Sequence, residues 1–137
     1  MTGVQTCALP IFVARENSRQ HKVEINWIES DLFSNLSGKK FGLIVCNPPY
    51  VETSLIQGRL RFEPRIALEA GNDGLSVINN VLIQAPKYLL NKAGLIIEFG
   101  CDQRPAVEEI LLTRGCYQIQ NWIKDYQGHW RGFVLNR

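Results

Sequence analysis

Two short, mainly apolar runs, Phe41–Cys46 and residues 95–99, constrain the fold of this chain more than any other feature of its sequence. Apolar runs of this length are typical of strands that are buried on both faces of a sheet. Between them, apolar residues recur at spacings of three and four over residues 75–90, which predicts a helix that Asp73 caps and Pro86 interrupts. A strand, a helix and a second strand in this order are typical of a parallel α/β sheet with right-handed crossovers.

The flanking segments predict further elements of the same sheet. Residues 12–21 favour an exposed helix, and residues 23–30 alternate between apolar and polar side chains like a short strand. After residues 95–99 a further helix is expected, with its end at Gly115. Residues 117–124 alternate and precede a last short strand at residues 133–135. Because no helix separates these two strands, we expect them to pair antiparallel.

Composition favours a single globular domain. The chain has 137 residues, of which 45% are hydrophobic and 20% charged, with a net charge of +2. Its apolar runs are far shorter than the roughly 18 residues of a membrane-spanning helix, and so weak a positive charge does not indicate nucleic-acid binding. The cysteines show no zinc-type spacing, which favours reduced thiols, a cytoplasmic location and no metal site. These cysteines are Cys7, Cys46, Cys101 and Cys116.

The first eleven residues differ in character from the rest. The string TGVQTCALPI resembles the translation of a common sequencing-library adapter, and no basic region precedes its apolar stretch, as a signal peptide would require. We therefore expect residues 1–11 to be a non-native leader and residues 12–137 to be part of a longer protein.

The tetrapeptide Asn47-Pro48-Pro49-Tyr50 follows the first apolar run and is the strongest candidate for a functional site. Ligands of α/β sheets bind beyond the carboxyl ends of the strands, and two prolines make this corner stiff. The Asn47 side-chain oxygen and the Pro48 carbonyl can each accept a hydrogen from a planar NH₂ group, while the Tyr50 ring packs on its face. On the residues alone, the kind of planar amine stays open, and a rigid turn without function remains an alternative.

Several segments together resemble one enzyme family. In chain order these are VARENSRQH, ESDLFSNLSGKKFGLIVCNPPYVE, RFEPRIALEAGNDGLSVI, LIIEFGCDQ and KDYQGHWRGFVLNR. They resemble the catalytic domain of the release factor glutamine methyltransferases, the PrmC/HemK family. This resemblance implies a Rossmann-like class I methyltransferase sheet that is truncated at its N-terminus and ends in an antiparallel strand pair.

The resemblance also implies a cofactor, a partner and residue roles. The cofactor is S-adenosylmethionine, and the substrate is a glutamine in a Gly-Gly-Gln loop of peptide chain release factors. We expect a monomer with no membrane and no direct nucleic-acid contact. Asn47, Pro48 and Tyr50 match catalytic positions, and Asn47 also lies near the cofactor. All four residues of the Asn47–Tyr50 tetrapeptide, together with Phe62 and Glu63, match substrate-binding positions, and Asp31 and Leu32 match cofactor-binding positions.

The sequence departs from this family in one respect. It contains no Gly-rich loop after a first strand and no acidic residue after a second, and both would contact the cofactor. In the family's sheet those two strands lie between the strand at residues 23–30 and the strand at Phe41–Cys46. We therefore expect this chain alone to be inactive. The alternatives for the whole protein are a ribosomal-protein glutamine methyltransferase, a DNA adenine N6-methyltransferase, or an inactive domain that binds a protein partner.

Overall fold

The computed structural model describes residues 8–136. Residues 1–7 of the expected leader, including Cys7, lie outside them, whereas residues 8–11 belong to the first helix. The helices are α1 (Ala8–Gln20), α2 (Ser76–Gln84) and α3 (Arg104–Arg114), and the strands are β1 (Phe41–Cys46), β2 (Leu89–Glu98), β3 (Gln118–Lys124) and β4 (Trp130–Asn136). Among the described cysteines, Cys46, Cys101 and Cys116 are free thiols. No helix in this part of the chain combines the length and the apolarity needed to cross a membrane.

The strands form one mixed sheet in the order β1-β2-β4-β3. β1 and β2 are parallel and are joined through α2, as the strand–helix–strand pattern predicts. β4 pairs antiparallel with both β2 and β3, so the predicted antiparallel ending of the sheet is confirmed. The carboxyl ends of β1 and β2 therefore lie at the same edge of the sheet, where the candidate site is expected.

One face of the sheet carries the core. Leu95 and Ile97 of β2 pair with Leu135 and Phe133 of β4, and all four side chains are fully buried. They belong to one apolar cluster with the inner faces of α2 and α3, which supply Ile78, Val81, Leu82, Val107 and Leu111. Burying a large apolar side chain contributes roughly 1.5–3 kcal/mol, so this cluster is the main source of stability.

The prediction that β1 is buried on both faces is wrong. Ile44 and Cys46 pack against the core, but Leu43 is 54% exposed and Val45 is 67% exposed. Within the described residues β1 is an edge strand that pairs only with β2. The apolar run thus indicates a strand correctly, but the burial of its second face requires neighbours that this part of the chain does not provide.

The predicted strand at residues 23–30 is also wrong. This segment has no strand partner within the described residues, and Val23, Ile25 and Ile28 are 40–52% exposed. Alternation of apolar and polar residues indicates which side chains would share a face of a strand. The strand itself forms only when a neighbouring strand completes its backbone hydrogen bonds.

The helix boundaries follow local chemistry. Pro86 ends the regular helix, because α2 stops at Gln84 and a single 3-10 turn, Ala85–Lys87, replaces the predicted continuation to residue 90. The Asp73 carboxylate accepts a hydrogen bond from the Leu75 amide at 2.9 Å and so stabilises the turn before α2. The predicted end of α3 at Gly115 is confirmed, with φ +62. β2 begins at Leu89, well before the predicted residue 95.

Candidate functional site

The Asn47–Tyr50 corner follows directly after the last residue of β1. Pro48 is buried, Pro49 and Tyr50 are half-buried, and Asn47 is exposed. Because the two prolines have no backbone N–H, the corner cannot continue the strand pairing, and their rings make its backbone stiff. As a result the Asn47 side chain projects into solvent at the edge where parallel strands end.

Tyr50 is fixed by an acid on the neighbouring strand. Its hydroxyl donates a hydrogen bond to Glu98 Oε1 at 3.0 Å, and Glu98 is the last residue of β2. The pKa of Tyr50 is raised, chiefly because burial disfavours the phenolate, and also because Glu98 accepts the phenol hydrogen and bears a negative charge. The positive charge of Arg131 opposes this shift only in part. Tyr50 is therefore held as a neutral hydrogen-bond donor, and its ring orientation is set.

A cleft of about 590 Å³ joins this corner to two other predicted site residues. Asp31, Leu32 and Pro49 line it together, with further walls from residues 65–69 and from α2. The structure thus places two of the three predicted cofactor contacts, Asp31 and Leu32, on the same cleft as Pro49, whereas the third, Asn47, does not line it. They come from segments that are distant in sequence.

The turn that carries Asp31 is docked by an aromatic contact. Phe33 is buried and stacks on Tyr88 with ring centroids 4.7 Å apart, and the Tyr88 hydroxyl donates a hydrogen bond to the Phe33 carbonyl at 3.2 Å. Within the turn, the backbone amide of Asn35 donates a hydrogen bond to Ser30 Oγ at 3.0 Å. These contacts explain why Asp31 has a fixed place although the preceding residues 23–30 have no strand partner.

The loop between β1 and α2 is closed at its base. The Val51 amide donates to the Leu68 carbonyl at 2.8 Å, and the Ala70 amide donates to the Val51 carbonyl at 2.9 Å. Glu69 accepts hydrogen bonds from Thr53 Oγ1 at 3.0 Å and from Arg65 Nη2 at 2.8 Å. The hydrogen bonds from Arg65 and Thr53 lower the pKa of the Glu69 carboxyl. Three 3-10 turns organise this long loop.

Phe62 and Glu63 lie apart from the cleft. Both are exposed at the tip of this loop, Phe62 at 77%, and the Arg61 guanidinium lies 4.9 Å from the Phe62 ring centroid. Neither residue lines the cleft that contains Asp31 and Pro49. The predicted site residues therefore fall into three groups: those that line the cleft, the rest of the Asn47–Tyr50 corner beside it, and the exposed loop residues Phe62 and Glu63.

The chemistry of the cleft suits part of a nucleoside-type cofactor. Leu32 offers apolar surface for the face of an adenine, and the exposed Asp31 carboxylate offers acceptors for amino or hydroxyl groups. No group of three His, Cys, Asp or Glu residues in the described part of the chain is arranged to hold a metal ion.

Two side chains at the site were missed by sequence reasoning. Glu98 is a carboxylate at the carboxyl end of a buried strand, and that position alone marks it as a candidate. Gln103 donates a hydrogen bond from Nε2 to the Tyr50 carbonyl at 3.0 Å, and no local sequence pattern indicates this contact.

An alkaline titration tests the environment of Tyr50. We expect the absorbance difference at 295 nm between the wild-type chain and Tyr50→Phe to show one phenol with a pKa above the ordinary tyrosine value of about 10. The pKa of Tyr50 is raised in the folded state. Its contribution to the stability of the fold is therefore complete below the pKa of the unfolded state and is lost as the pH rises through the pKa of the folded state.

Removing the charge of Glu98 should lower the pKa of that phenol, so Glu98→Gln shifts the transition toward ordinary values. The control Tyr126→Phe removes a fully exposed ring and should leave the transition in place. A Tyr50 transition at or below pH 10 would contradict the partly buried hydrogen bond to Glu98.

Comparison with known proteins shows similarity to methyltransferases. Residues 1–93 match the family described as methyltransferase small domain. The chain is 38% identical over 135 residues to a release factor glutamine methyltransferase of Pseudomonas aeruginosa, covering 96% of this chain and 49% of that protein. It is 41% identical over 101 residues to a ribosomal protein uL3 glutamine methyltransferase of Francisella tularensis, covering 70% of this chain and 32% of that protein. The chain thus spans about half the length, or less, of these curated relatives.

A solved structure shares the backbone arrangement. The crystal structure of ribosomal protein L11 methylase from Lactobacillus delbrueckii aligns with 93% of this chain and 52% of its own chain, at a TM-score of 0.63 and 19% identity. A methyltransferase from Pyrococcus furiosus aligns with 90% of this chain at a TM-score of 0.61. At such low identity these likenesses show the fold alone.

Proposed function

Because this chain belongs to the methyltransferase small domain family, we propose that its protein transfers a methyl group from S-adenosylmethionine to the side-chain amide nitrogen of a glutamine in peptide chain release factors. The predicted Rossmann-like class I methyltransferase fold is confirmed by the solved methyltransferases that share its sheet. The observation that carries the proposal is the Asn47–Tyr50 corner, which leaves β1 beside the cleft of Asp31 and Leu32.

The corner is suited to holding a planar amide. We propose that the Asn47 side-chain oxygen and the Pro48 carbonyl each accept one hydrogen of the glutamine NH₂ group, while the Tyr50 ring packs on its face. An amide nitrogen is a poor nucleophile because its lone pair is delocalised, so acceptors that favour a pyramidal, positively charged nitrogen lower the barrier. The cofactor supplies an electrophilic methyl group on a sulfonium, and Asp31 and Leu32 are proposed to hold its adenine side.

The exposed loop tip has a separate proposed role. Phe62 and Glu63 are exposed and do not line the cleft, so we propose that they contact the protein substrate rather than the reacting amide. A large exposed aromatic ring with a neighbouring carboxylate suits recognition of a protein surface.

Since release factors act in the cytoplasm, we propose that the protein is located there. We also propose that it is a monomer.

A second candidate has its own support. The relative from Francisella tularensis is named for methylation of ribosomal protein uL3, and its identity of 41% is of the same order as that of the release factor enzymes. The chemistry at the corner is the same for both, since each substrate is a glutamine amide. The release factor remains the first proposal because that similarity extends over 96% of the chain.

A methyl-acceptor assay separates these substrates. The product of the complete gene, with the reading frame extended upstream of Phe12, is incubated with tritiated S-adenosylmethionine and purified release factor. We expect incorporation into the release factor, and loss of that incorporation when the Gly-Gly-Gln glutamine is replaced by glutamate. Purified uL3 and adenine-containing duplex DNA serve as competing acceptors. Labelling of either one without labelling of release factor would overturn the proposal.

Calorimetry tests whether the 137-residue chain contains a sufficient cofactor site. We propose that residues 12–137 form part of a catalytic domain and that residues 1–11 are not native. Because no Gly-rich loop is present in this sequence, we expect no heat of binding with S-adenosylmethionine at micromolar concentrations. A Kd in the micromolar range would show instead that Asp31, Leu32 and the corner suffice to hold the cofactor.

A further inference from the structure

The side chain of Gln103 connects three loops at the edge of the sheet that carries the site. Its Nε2 donates hydrogen bonds to the carbonyl of Tyr50 at 3.0 Å and to the carbonyl of Asp73 at 3.3 Å. Its Oε1 accepts a hydrogen bond from the Gly100 amide at 2.8 Å. One amide thus joins the corner after β1, the turn before α2 and the turn after β2.

The surrounding backbone is shaped to admit this amide. Gly74 is buried at φ +68, and a Cβ atom there would lie 2.5 Å from both Gln103 Nε2 and the Tyr50 carbonyl oxygen. A Cβ at Gly100 would lie 3.0 Å from Gln103 Oε1 and 3.5 Å from Tyr50 Cδ2. Position 74 therefore accepts only glycine while Gln103 stays in place, and position 100 leaves little room for a side chain.

The chemistry of these contacts requires a primary amide. Gln103 uses both hydrogens of its nitrogen as donors and its oxygen as an acceptor. Glutamate has the same length but no donor at neutral pH, so its carboxylate would face the carbonyl oxygens of Tyr50 and Asp73. Methionine has a similar length and neither strong donor nor strong acceptor.

We infer that Gln103 is a positioning residue, which orients the Asn47–Tyr50 corner by holding the Tyr50 carbonyl and does not itself touch the substrate. Tyr50 is thereby fixed at two points, at its carbonyl by Gln103 and at its hydroxyl by Glu98. This inference rests on the proposed function for its catalytic consequence, because the corner is the proposed grip on the glutamine amide. Its structural part, that Gln103 holds the Tyr50 carbonyl and so orders the corner, does not depend on any enzymatic activity.

Hydrogen exchange on the 137-residue chain tests the structural part. In Gln103→Glu we expect the amides of Val51 and Ala70, next to the corner, to exchange at least about tenfold faster, while the Gly100 amide stays protected because a carboxylate oxygen can still accept it. In Gln103→Met all three should exchange faster. The control Gln120→Glu makes the same charge change at an exposed position of β3 and should leave the exchange rates of these three amides unchanged.

The two variants give a clear contrary outcome. Unchanged exchange at Val51 and Ala70 in folded Gln103→Glu or Gln103→Met would mean that Gln103 serves only the start of α3, and it would overturn the inference. If Gln103→Glu does not fold, the neutral Gln103→Met variant carries the same test at these two amides.

Kinetics of the complete gene product test the catalytic part. We expect Gln103→Glu to lower kcat/KM for release factor at least about tenfold, with the KM for S-adenosylmethionine unchanged, whereas a general loss of structure would affect both substrates. Normal kcat/KM together with faster exchange would overturn the positioning role. If the wild-type protein methylates no release factor, the proposed function fails, and the exchange results still decide whether Gln103 holds the corner.

Discussion

Replacing Asn47 by alanine is expected to lower kcat for methyl transfer by about 10²–10³-fold, the loss typical of removing one aligned polar group that stabilises a transition state. In the proposed mechanism the Asn47 oxygen accepts one hydrogen of the substrate amide and favours the pyramidal nitrogen. Alanine removes this acceptor but leaves the prolines and the backbone of the corner in place. The measurement is single-turnover transfer of labelled methyl by the complete gene product to release factor.

Stability should hardly change in this variant. Asn47 is exposed, and substitutions at exposed positions usually alter the free energy of unfolding by less than about 0.5 kcal/mol. Asn121→Ala, at an exposed position of β3, provides a matched control that should keep full activity. Undiminished turnover in Asn47→Ala would remove the central support for amide binding at the corner.

The largest effect on stability is expected for Phe99→Ala. Phe99 is fully buried, and its ring contacts Trp122 and Phe133 with centroid separations of 5.8 and 5.7 Å. Removing a buried phenylalanine costs about 3–5 kcal/mol, because apolar contacts are lost and a cavity remains. Since whole domains are stable by only about 5–15 kcal/mol, we expect a large fall in the urea midpoint of the 137-residue chain or failure to fold.

Phe62→Ala is the matched control for this prediction. It makes the same chemical change at a ring that is 77% exposed, so we expect less than about 0.5 kcal/mol of destabilisation. Both variants are measured by urea unfolding followed by circular dichroism. A loss below about 1 kcal/mol in Phe99→Ala would contradict the description of the core. In the complete protein, Phe62→Ala should instead raise the KM for release factor.

The strands that sequence predicts correctly are those whose partners lie within the described residues. The apolar run at Phe41–Cys46 gives the bounds of β1, and the alternation over residues 117–124 indicates β3, because β2 and β4 are present to pair with them. The alternation at residues 23–30 is of the same quality, yet no strand forms there. Local pattern therefore predicts which segments can extend, whereas pairing depends on the rest of the sheet.

The site shows the same division. The two prolines between Asn47 and Tyr50 mark a stiff corner in the sequence, and its place after β1 is confirmed. Glu98 and Gln103 complete the fixation of Tyr50 through single hydrogen bonds between distant segments. The position of Glu98 at the end of β2 marks it as a candidate in the sequence, but the contact of Gln103 depends on how three loops meet in space, so no periodicity or short motif indicates it. The roles of Phe62 and Glu63 stay predictions.

The connectivity of the sheet also sets an expected order of assembly. Lys124 pairs with Trp130 across a short turn, so the β3–β4 hairpin closes at little entropic cost. Cys46 pairs with Ile97, and this contact requires the closure of a far longer stretch of chain. The Asn47–Tyr50 corner meets Glu98 only after that step. When the full chain refolds from the unfolded state, we therefore expect the corner that is proposed to bind the substrate amide to form after the C-terminal hairpin.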